Sequence, residues 1–196
     1  MKNTIAGPRE KNYIRGFGFQ GGGSTSFRMN APGYGAAFKK GVLDPLTSIN
    51  LVGFGEVLPR FENSVALDPV VVDKFGIPVL RISMTWGENE KAMIPDMAVT
   101  AAQMLEAAGA RNVQTFSVPD RVPGFGIHEM GTARMGREPK SSVLNEFLQT
   151  HDVANLYVMD ASSFVSGGCQ NPTLTIMALA VRGCDHLMQE MKRGNV

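Results

Sequence analysis

Two side chains in the second half of the sequence are of types that could act together on a substrate hydroxyl, one as a base and one as a neutral hydrogen-bond donor. His128 lies in the segment HEMGTARMG, and Asn171 begins the segment NPTLTIMALA. A histidine can take up a hydroxyl proton near neutral pH, because the ordinary pKa of an imidazole is about 6.5. An asparagine amide can donate a hydrogen bond to the substrate oxygen while it stays neutral, which stabilises developing alkoxide character. Taken alone, His128 would more simply be a structural loop histidine.

Two further motifs look like nucleotide and metal sites, and their surroundings argue against both. The segment GFGFQG at 16–21 satisfies the dinucleotide pattern GxGxxG, but that pattern works only between a strand and a helix N-terminus. The following GGSTSFRMNAPG is unsuited to the first turns of a helix, and no acidic residue lies about 20 positions on. We therefore interpret 16–21 as a turn that needs close backbone approach. His128 and Glu129 begin an HExxH zinc motif that lacks its second histidine, because Thr132 stands there, and we expect no metal.

Composition excludes several classes of partner. The 196-residue chain carries 19 basic and 18 acidic side chains, a net charge of +1, so it has no electrostatic footprint for nucleic acid or an anionic membrane. No run approaches the roughly 18 apolar residues that a membrane-spanning helix needs. With 43% hydrophobic residues, the chain is long enough for one compact domain or for two partial ones.

The helices and strands predicted around the candidate residues indicate an α+β fold. Residues 1–50 read as extended segments and turns. From Leu51 onward, short strand-like runs separated by Pro, Asn and Gly predict one antiparallel sheet. A helix that follows Pro95 and ends at Gly109 is expected to cover one face of that sheet. The segment NLYVMDAS predicts a strand between the two candidate residues.

A final helix is predicted to begin beside Asn171. Asn171 suits its N-cap and Pro172 its first position. An apolar stripe predicts that this helix is buried along much of its length: Leu174, Met177, Ala178, Val181, Cys184, Leu187, Met188 and Met191. Its N-terminus carries unsatisfied N–H groups and about half a positive charge, which can stabilise an anion.

Three separated motifs occur in an order that is typical of one enzyme family: HEMGTARMG, NLYVMDASSFVSGG and NPTLTIMALA. Together they resemble the C-terminal signature of the glucose-methanol-choline (GMC) oxidoreductases. GEVLPRFENSVALDP and DKFGIPVLRI resemble the family's substrate-domain strands, so the resemblance covers most of the chain. RGFGFQGGGS and the Asn-Pro pair are most similar to the bacterial sugar and gluconate dehydrogenase branch.

The resemblance implies FAD as the cofactor and hydride transfer from an alcohol or sugar to flavin N5. It implies His128 as the base, facing Asn171 across the substrate hydroxyl. The implied cofactor contacts are Asp160, Ala161, Asn171, Pro172 and Thr173. Those at the helix N-terminus are expected near the pyrimidine side of the flavin, and the backbone at 160–161 near its phosphate and ribityl region. Asp160 would equally suit the cap of a turn.

Complete members of that family also carry an N-terminal dinucleotide fold, of which the chain shows no credible copy. We expect residues 1–120 to belong to the substrate-binding domain and residues 121–196 to complete the FAD-binding domain. The missing FAD-binding portion would come from the same gene or from a companion chain, and we favour the former, because splitting would expose a large apolar surface. An electron-accepting subunit is a further expected partner. The alternatives are a non-catalytic remnant or assembly subunit without FAD, and a flavin enzyme of sterols or aromatic alcohols.

Overall fold

The computed structural model describes residues 11–27, 29–30, 32–44, 46–116, 123–124 and 126–196, and it is a mixed α and β structure. Its elements are, in chain order, strand β1 (Phe17–Ser26), helix α1 (Gly35–Leu43), strands β2 (Leu46–Gly55), β3 (Ser64–Val72) and β4 (Pro78–Ser83), helix α2 (Glu88–Ala107), a 3-10 turn (Ala161–Ser163) and helix α3 (Thr173–Arg193). The predicted domain boundary between 120 and 121 lies outside the described residues. None of the helices described is long and apolar enough to span a membrane.

The strands form two separate two-stranded antiparallel sheets, β1–β2 and β3–β4, so the prediction of one sheet is wrong. β1 pairs with β2 over its full length, from Phe17 opposite Gly55 to Ser26 opposite Leu46. The glycine-rich residues of β1 favour a turn when they are considered locally, but continuous pairing with β2 outweighs their poor strand propensity. Segment 16–21 therefore runs into a strand, and it is neither the expected turn nor a strand-to-helix junction.

Helix α2 covers one face of the β1–β2 pair. A Cβ atom built on Gly53 would lie 3.0 Å from Met97 Sδ, and one built on Gly55 would lie 2.7 Å from Met93 Cε. Met93 is buried. Because successive side chains along a strand point to opposite faces, Gly53 and Gly55 mark the face toward α2, and Phe54 between them points to the other face.

Helix α2 begins at Glu88, earlier than the predicted start after Pro95, which lies inside the helix. The prediction failed because an interior proline removes a helical hydrogen bond and costs about 3 kcal/mol. The buried carboxylate of Glu90 holds the first turn: its Oε2 accepts from Gly87 N at 2.8 Å and its Oε1 from Leu58 N at 3.0 Å. These bonds and the packing on β2 stabilise the part of the helix that precedes the proline.

The segment before β1 is attached to α2 through Asp96. Lys11 Nζ donates to Asp96 Oδ1 at 2.9 Å, and the hydroxyl of Tyr13 donates to Asp96 Oδ2 at 2.5 Å. Burial, and secondarily the hydrogen bond to Asp96, raises the pKa of the Tyr13 phenol well above its ordinary value. The phenol therefore stays protonated as a donor, and it fixes the direction in which the chain enters β1.

The C-terminal half packs around Leu144 and Leu148, which are both buried. The predicted strand NLYVMDAS is wrong: Tyr157 forms only an isolated bridge with Gln149, and the 3-10 turn follows. Its apolar side chains produce a strand-like pattern. A strand also needs a neighbouring segment of similar length to pair with, and among the described residues no such segment lies beside it.

Helix α3 approaches that cluster through Gly183. A Cβ atom there would lie 3.1 Å from Met159 Cε and 3.2 Å from Phe147 O, so the absence of a side chain permits the contact. Gly183 is the one buried residue of α3, and the prediction that the helix is buried along its length is wrong. Its N-cap is Pro172 and not Asn171, a shift of one residue.

The chain exposes an unusually large surface for its mass. Its accessible surface is 14403 Å² at 21.1 kDa, whereas a compact monomer of that mass exposes roughly 9,000 Å². Many large apolar side chains are exposed, and on α3 they include Leu174 at 78% exposure and Met177 at 60%. These faces are uncovered within the part of the chain that the structure describes.

Candidate active site

The candidate base His128 is half-buried and lies beside strand β2. Its ring centroid is 6.4 Å from that of Phe54, with the two ring planes inclined by 32°. Phe54 points away from α2, so the imidazole lies on the side of the β1–β2 pair that the helix leaves open.

The loop that carries His128 is attached to the 3-10 turn. Three of its backbone N–H groups donate to three successive carbonyls of that turn, at 3.3, 2.9 and 2.9 Å: Gly131 to Ala161, Ala133 to Ser162, and Met135 to Ser163. Gly131 has a φ of +90°, which favours glycine at this turn. The first and second motifs of the sequence analysis are thus one backbone unit, and the turn supports the position of the imidazole.

Asp160 caps the 3-10 turn, which is the alternative role that the sequence predicted for it. Its Oδ1 accepts from Ser162 N at 2.8 Å and from Ser162 Oγ at 2.5 Å, while its backbone carbonyl accepts from Ser163 Oγ at 2.7 Å. Asp160 is exposed and Ala161 is half-buried. Capping and cofactor contact are compatible, because the cap uses the Asp160 side chain and the predicted contact uses the backbone at 160–161.

Asn171 is exposed and lines a cleft of about 620 Å³ between β1, α2 and the loop before α3. The cleft brings together aromatic rings, amides, a hydroxyl and sulfur-containing side chains, and its remaining lining residues are Phe17, Gly18, Phe19, Gln20, Thr100, Met104, Cys169 and Gln170. His128 is not among them. The prediction that His128 faces Asn171 across one substrate hydroxyl is therefore not supported by this cleft, and the distance between the two side chains stays a prediction.

The register of β1 and β2 nevertheless relates the strand positions that the two loops approach. A Cβ atom built on Gly18 would lie 2.6 Å from Cys169 Sγ, so the loop before Asn171 rests on the Gly18 face of β1. Gly18 is directly opposite Phe54, the neighbour of His128. Opposed residues of an antiparallel pair share a face and lie about 4.5–5.5 Å apart. The His128 loop and the Cys169–Asn171 loop therefore meet one strand pair at opposed positions.

The N-terminus of α3 offers a site for an anion beside Asn171. The first N–H groups of a helix have no intrahelical partner and carry partial positive charge. Thr173 begins the helix, and its first turn contains no acidic residue, so nothing in that turn repels negative charge.

The other two histidines have packing roles. His151 Nε2 lies 3.0 Å from Ser142 Oγ and 3.2 Å from the Gly136 carbonyl. His186 Nδ1 lies 3.0 Å from the Tyr157 hydroxyl, and its ring stacks on that of Phe147, with the centroids 4.2 Å apart. Within the described part of the chain, no three His, Cys, Asp or Glu side chains are grouped as metal ligands.

The sequence analysis missed the residues that β1 and β2 contribute, chiefly Gln20 and Phe54. The alternation of glycine with larger residues in RGFGFQGGG is a signal for a strand that packs closely on one face. The pairing of Gly18 with Phe54 was not available from that signal, because it depends on the register with a strand 36 positions later.

Comparison with known proteins gives consistent matches. Residues 59–180 match the C-terminal model of the GMC oxidoreductase family. The chain is 43% identical over 68% of its length to the 2-methyl-1,2-propanediol dehydrogenase of Mycolicibacterium austroafricanum and 31% identical over 76% to the gluconate 2-dehydrogenase flavoprotein of Pantoea cypripedii. It is 29% identical over 71% to the fructose dehydrogenase large subunit of Gluconobacter japonicus. These matches cover 24%, 25% and 25% of the three relatives, so the chain spans about a quarter of their length.

Proposed function

The chain belongs to the GMC oxidoreductase family, and we propose that it supplies the catalytic part of an FAD-dependent enzyme that oxidises a CH–OH group of an alcohol or sugar. The observation that supports this most strongly is the meeting of the His128 loop and the Asn171 loop on opposed residues of β1 and β2. A side chain that takes the proton and a side chain that binds the oxygen, 43 positions apart in the sequence, would then act on one substrate.

The proposed chemistry separates the proton from the hydride. An unprotonated ring nitrogen of His128 takes the hydroxyl proton, while the amide of Asn171 donates to the same oxygen and stabilises its developing negative charge. The hydrogen on the carbon leaves with its electron pair, so the product is a carbonyl compound. FAD, when bound, supplies the acceptor of that hydride.

The cofactor contacts proposed for this chain concern only one end of FAD. The acid-free first turn of α3, from Thr173, and the neighbouring Asn171 and Pro172 fit the side of a flavin that becomes electron-rich on reduction. The backbone of Asp160 and Ala161 is the proposed contact to its phosphate and ribityl region. The ADP half would be held by a further FAD-binding portion, from the same gene or a companion chain.

That further portion also accounts for the surface that the chain leaves uncovered. The exposed apolar side chains of α3 repeat on one helical face and are Leu174, Met177, Val181, Met188 and Met191. We propose that this face packs against the FAD-binding portion. An electron-accepting subunit is a further proposed partner, since one relative is itself described as a large subunit.

The proposal is tested by anaerobic mixing of the enzyme, assembled with its FAD-binding portion, with a panel of alcohols, polyols and sugars. At least one of them should bleach the flavin absorbance near 450 nm and yield a carbonyl product. An assembled, FAD-loaded enzyme that no member of such a panel reduces would contradict the proposal, and failure of the assembled protein to bind FAD would support the non-catalytic alternative.

A further inference from the structure

The face of the β1–β2 pair that is turned away from α2 carries polar side chains beyond the candidate catalytic residues. Gly18 and Phe54 lie at the end of this face that meets the two loops. Past them, the pairs that share the face are Gln20 with Val52, Gly22 with Asn50, and Ser24 with Ser48. We refer to these positions, on 20–24 and 48–52, as the polar strand face. The two serine hydroxyls lie 3.1 Å apart.

Gln20 connects the polar strand face to the cleft of Asn171, because it lines that cleft and is itself exposed. A strand advances about 3.3 Å per residue, so Gln20 lies about 7 Å along β1 from Gly18, within the span of one sugar ring. Gly22, opposite Asn50, lies about 13 Å from Gly18 by the same spacing. The amide of Gln20 would thus lie about one sugar unit from the candidate catalytic residues, and the amide of Asn50 about two sugar units from them.

Among the glycines of β1, Gly22 leaves room at this face. A side chain at Gly18 would strike Cys169 Sγ, and one at Gly21 would strike the backbone carbonyl of Asn50, so packing explains both. At Gly22 the nearest atom is Asn50 Oδ1, 3.9 Å from a built Cβ, and packing does not require glycine there. An interior glycine weakens a strand by roughly 0.5–1 kcal/mol relative to alanine, and close approach by a ligand at this face would account for Gly22.

The chemistry of the polar strand face selects among substrates. Its polar side chains are amides and hydroxyls, which donate and accept hydrogen bonds as sugar hydroxyls do. No charged side chain occurs at positions 18–24 or 48–54, so the face has no cation to pair with a sugar carboxylate. The opposite face packs on α2 and contributes nothing to the cleft beyond its aromatic rings.

We propose that Gln20 and Asn50 bind hydroxyl groups remote from the reacting carbon, and that the substrate is a neutral polyhydroxylated compound and not a sugar acid or a simple monohydric alcohol. This rests on the proposed function. Gln20 would contact the unit that is oxidised, and Asn50 would contact a second linked unit.

The test measures KM and kcat of the assembled, FAD-loaded enzyme with D-glucose, cellobiose, D-gluconate and cyclohexanol. Gln20→Met keeps the side-chain length and removes the amide, and it should raise KM for both neutral sugars about 2- to 12-fold, the range for one neutral hydrogen bond. KM for cyclohexanol should rise less than KM for the two sugars, because cyclohexanol has no second hydroxyl for the amide to bind. Asn50→Ala should raise KM for cellobiose but not for D-glucose. Thr25→Val, on the α2 side of the same strand, is the matched control and should change neither.

The outcomes separate this inference from the proposed function. If neither these four compounds nor any other alcohol reduces the wild-type enzyme, the proposed function itself is wrong. If it is reduced but prefers D-gluconate, or if Gln20→Met changes KM for cyclohexanol and D-glucose equally or not at all, the assignment of the polar strand face is wrong while the proposed function stands.

Discussion

At the candidate site, the residue type at position 171 determines whether a neutral hydrogen-bond donor is present. Asn171 lies in an exposed loop position at the start of α3 and lines the cleft, where an amide can donate a hydrogen bond without adding charge. Its type and its place before a proline and an apolar run could be recognised in the sequence. The same holds for His128, whose side chain is suited to accept a proton in a glycine-containing loop. The approach of His128 to Phe54 and of Cys169 to Gly18 could not be recognised, because it joins segments that are far apart in the sequence.

At this scale we predict that charge matters more than size at position 171. Asn171→Ala should lower the rate of flavin reduction about 10²-fold, as expected for the loss of one oxyanion-stabilising donor. Asn171→Asp should lower it further, although its size is conserved, because a carboxylate repels both the developing alkoxide and negative charge on the cofactor. Rapid-mixing absorbance measurements on the assembled enzyme compare the two variants.

Gln189→Asp is the matched control for Asn171→Asp, since it adds the same charge to an exposed position of α3, about 24 Å along the helix axis from Thr173. It should leave the rate within about 2-fold of wild type. An Asn171→Asp enzyme as fast as Asn171→Ala would show that no negative charge develops near this residue.

At the scale of elements, prediction succeeded where a local signal agreed with tertiary packing. The apolar period and the Asn-Pro start predicted α3 to within one residue of its first turn. β1 and the first two turns of α2 were missed, because glycine and proline gave the opposite local signal and long-range contacts reversed it. For α2 those contacts are the bonds of Glu90 and the close approach of Met93 and Met97 to β2.

We therefore predict that Glu90 determines whether α2 starts before its proline. Glu90→Ala leaves the N–H groups of Gly87 and Leu58 without their acceptor, a loss of about 1–3 kcal/mol for buried groups. Hydrogen exchange of the segment 85–93 should accelerate by about 30-fold, which corresponds to the middle of that range. Mass spectrometry of peptides from this segment provides the measurement.

Glu88→Ala serves as its control, because the Glu88 side chain is exposed and its ion pair with Lys91 spans one turn on the surface. Such pairs contribute less than about 1 kcal/mol, so exchange should change little. Equal acceleration in both variants would mean that the buried carboxylate does not hold the start of the helix.

For the whole molecule, the decisive property is the surface that it leaves uncovered. The accessible area of 14403 Å² exceeds that of a compact monomer of the same mass by about 1.6-fold. The sequence predicted an apolar stripe on α3 correctly, but an apolar stripe alone does not state whether its partner lies in the same chain. That distinction requires the packing of the other elements, which leave the stripe exposed among the described residues.

We predict that the 196 residues expressed alone neither retain FAD through desalting nor oxidise alcohols, and that they self-associate. Affinity for a dinucleotide comes largely from its phosphates and ribose, and the chain offers proposed contacts mainly to the flavin end. Absorbance between 350 and 500 nm and size-exclusion chromatography report on the two properties. Val181→Lys, which places a charge in the exposed stripe of α3, should increase the monomeric fraction. A monomeric yellow protein with stoichiometric flavin would contradict the prediction.

The central claim, that His128 is the base of an FAD-dependent alcohol oxidation, is tested most directly by the rate constant of anaerobic flavin reduction in a single turnover. With equal FAD content confirmed by absorbance, His128→Ala should be slower than wild type by about 10²-fold or more, the usual effect of losing a general base. Added imidazole should restore part of the rate. His186→Asn removes a histidine that packs against Phe147 and Tyr157 and should stay within about 2-fold of wild type. An unchanged rate constant in His128→Ala would contradict the account.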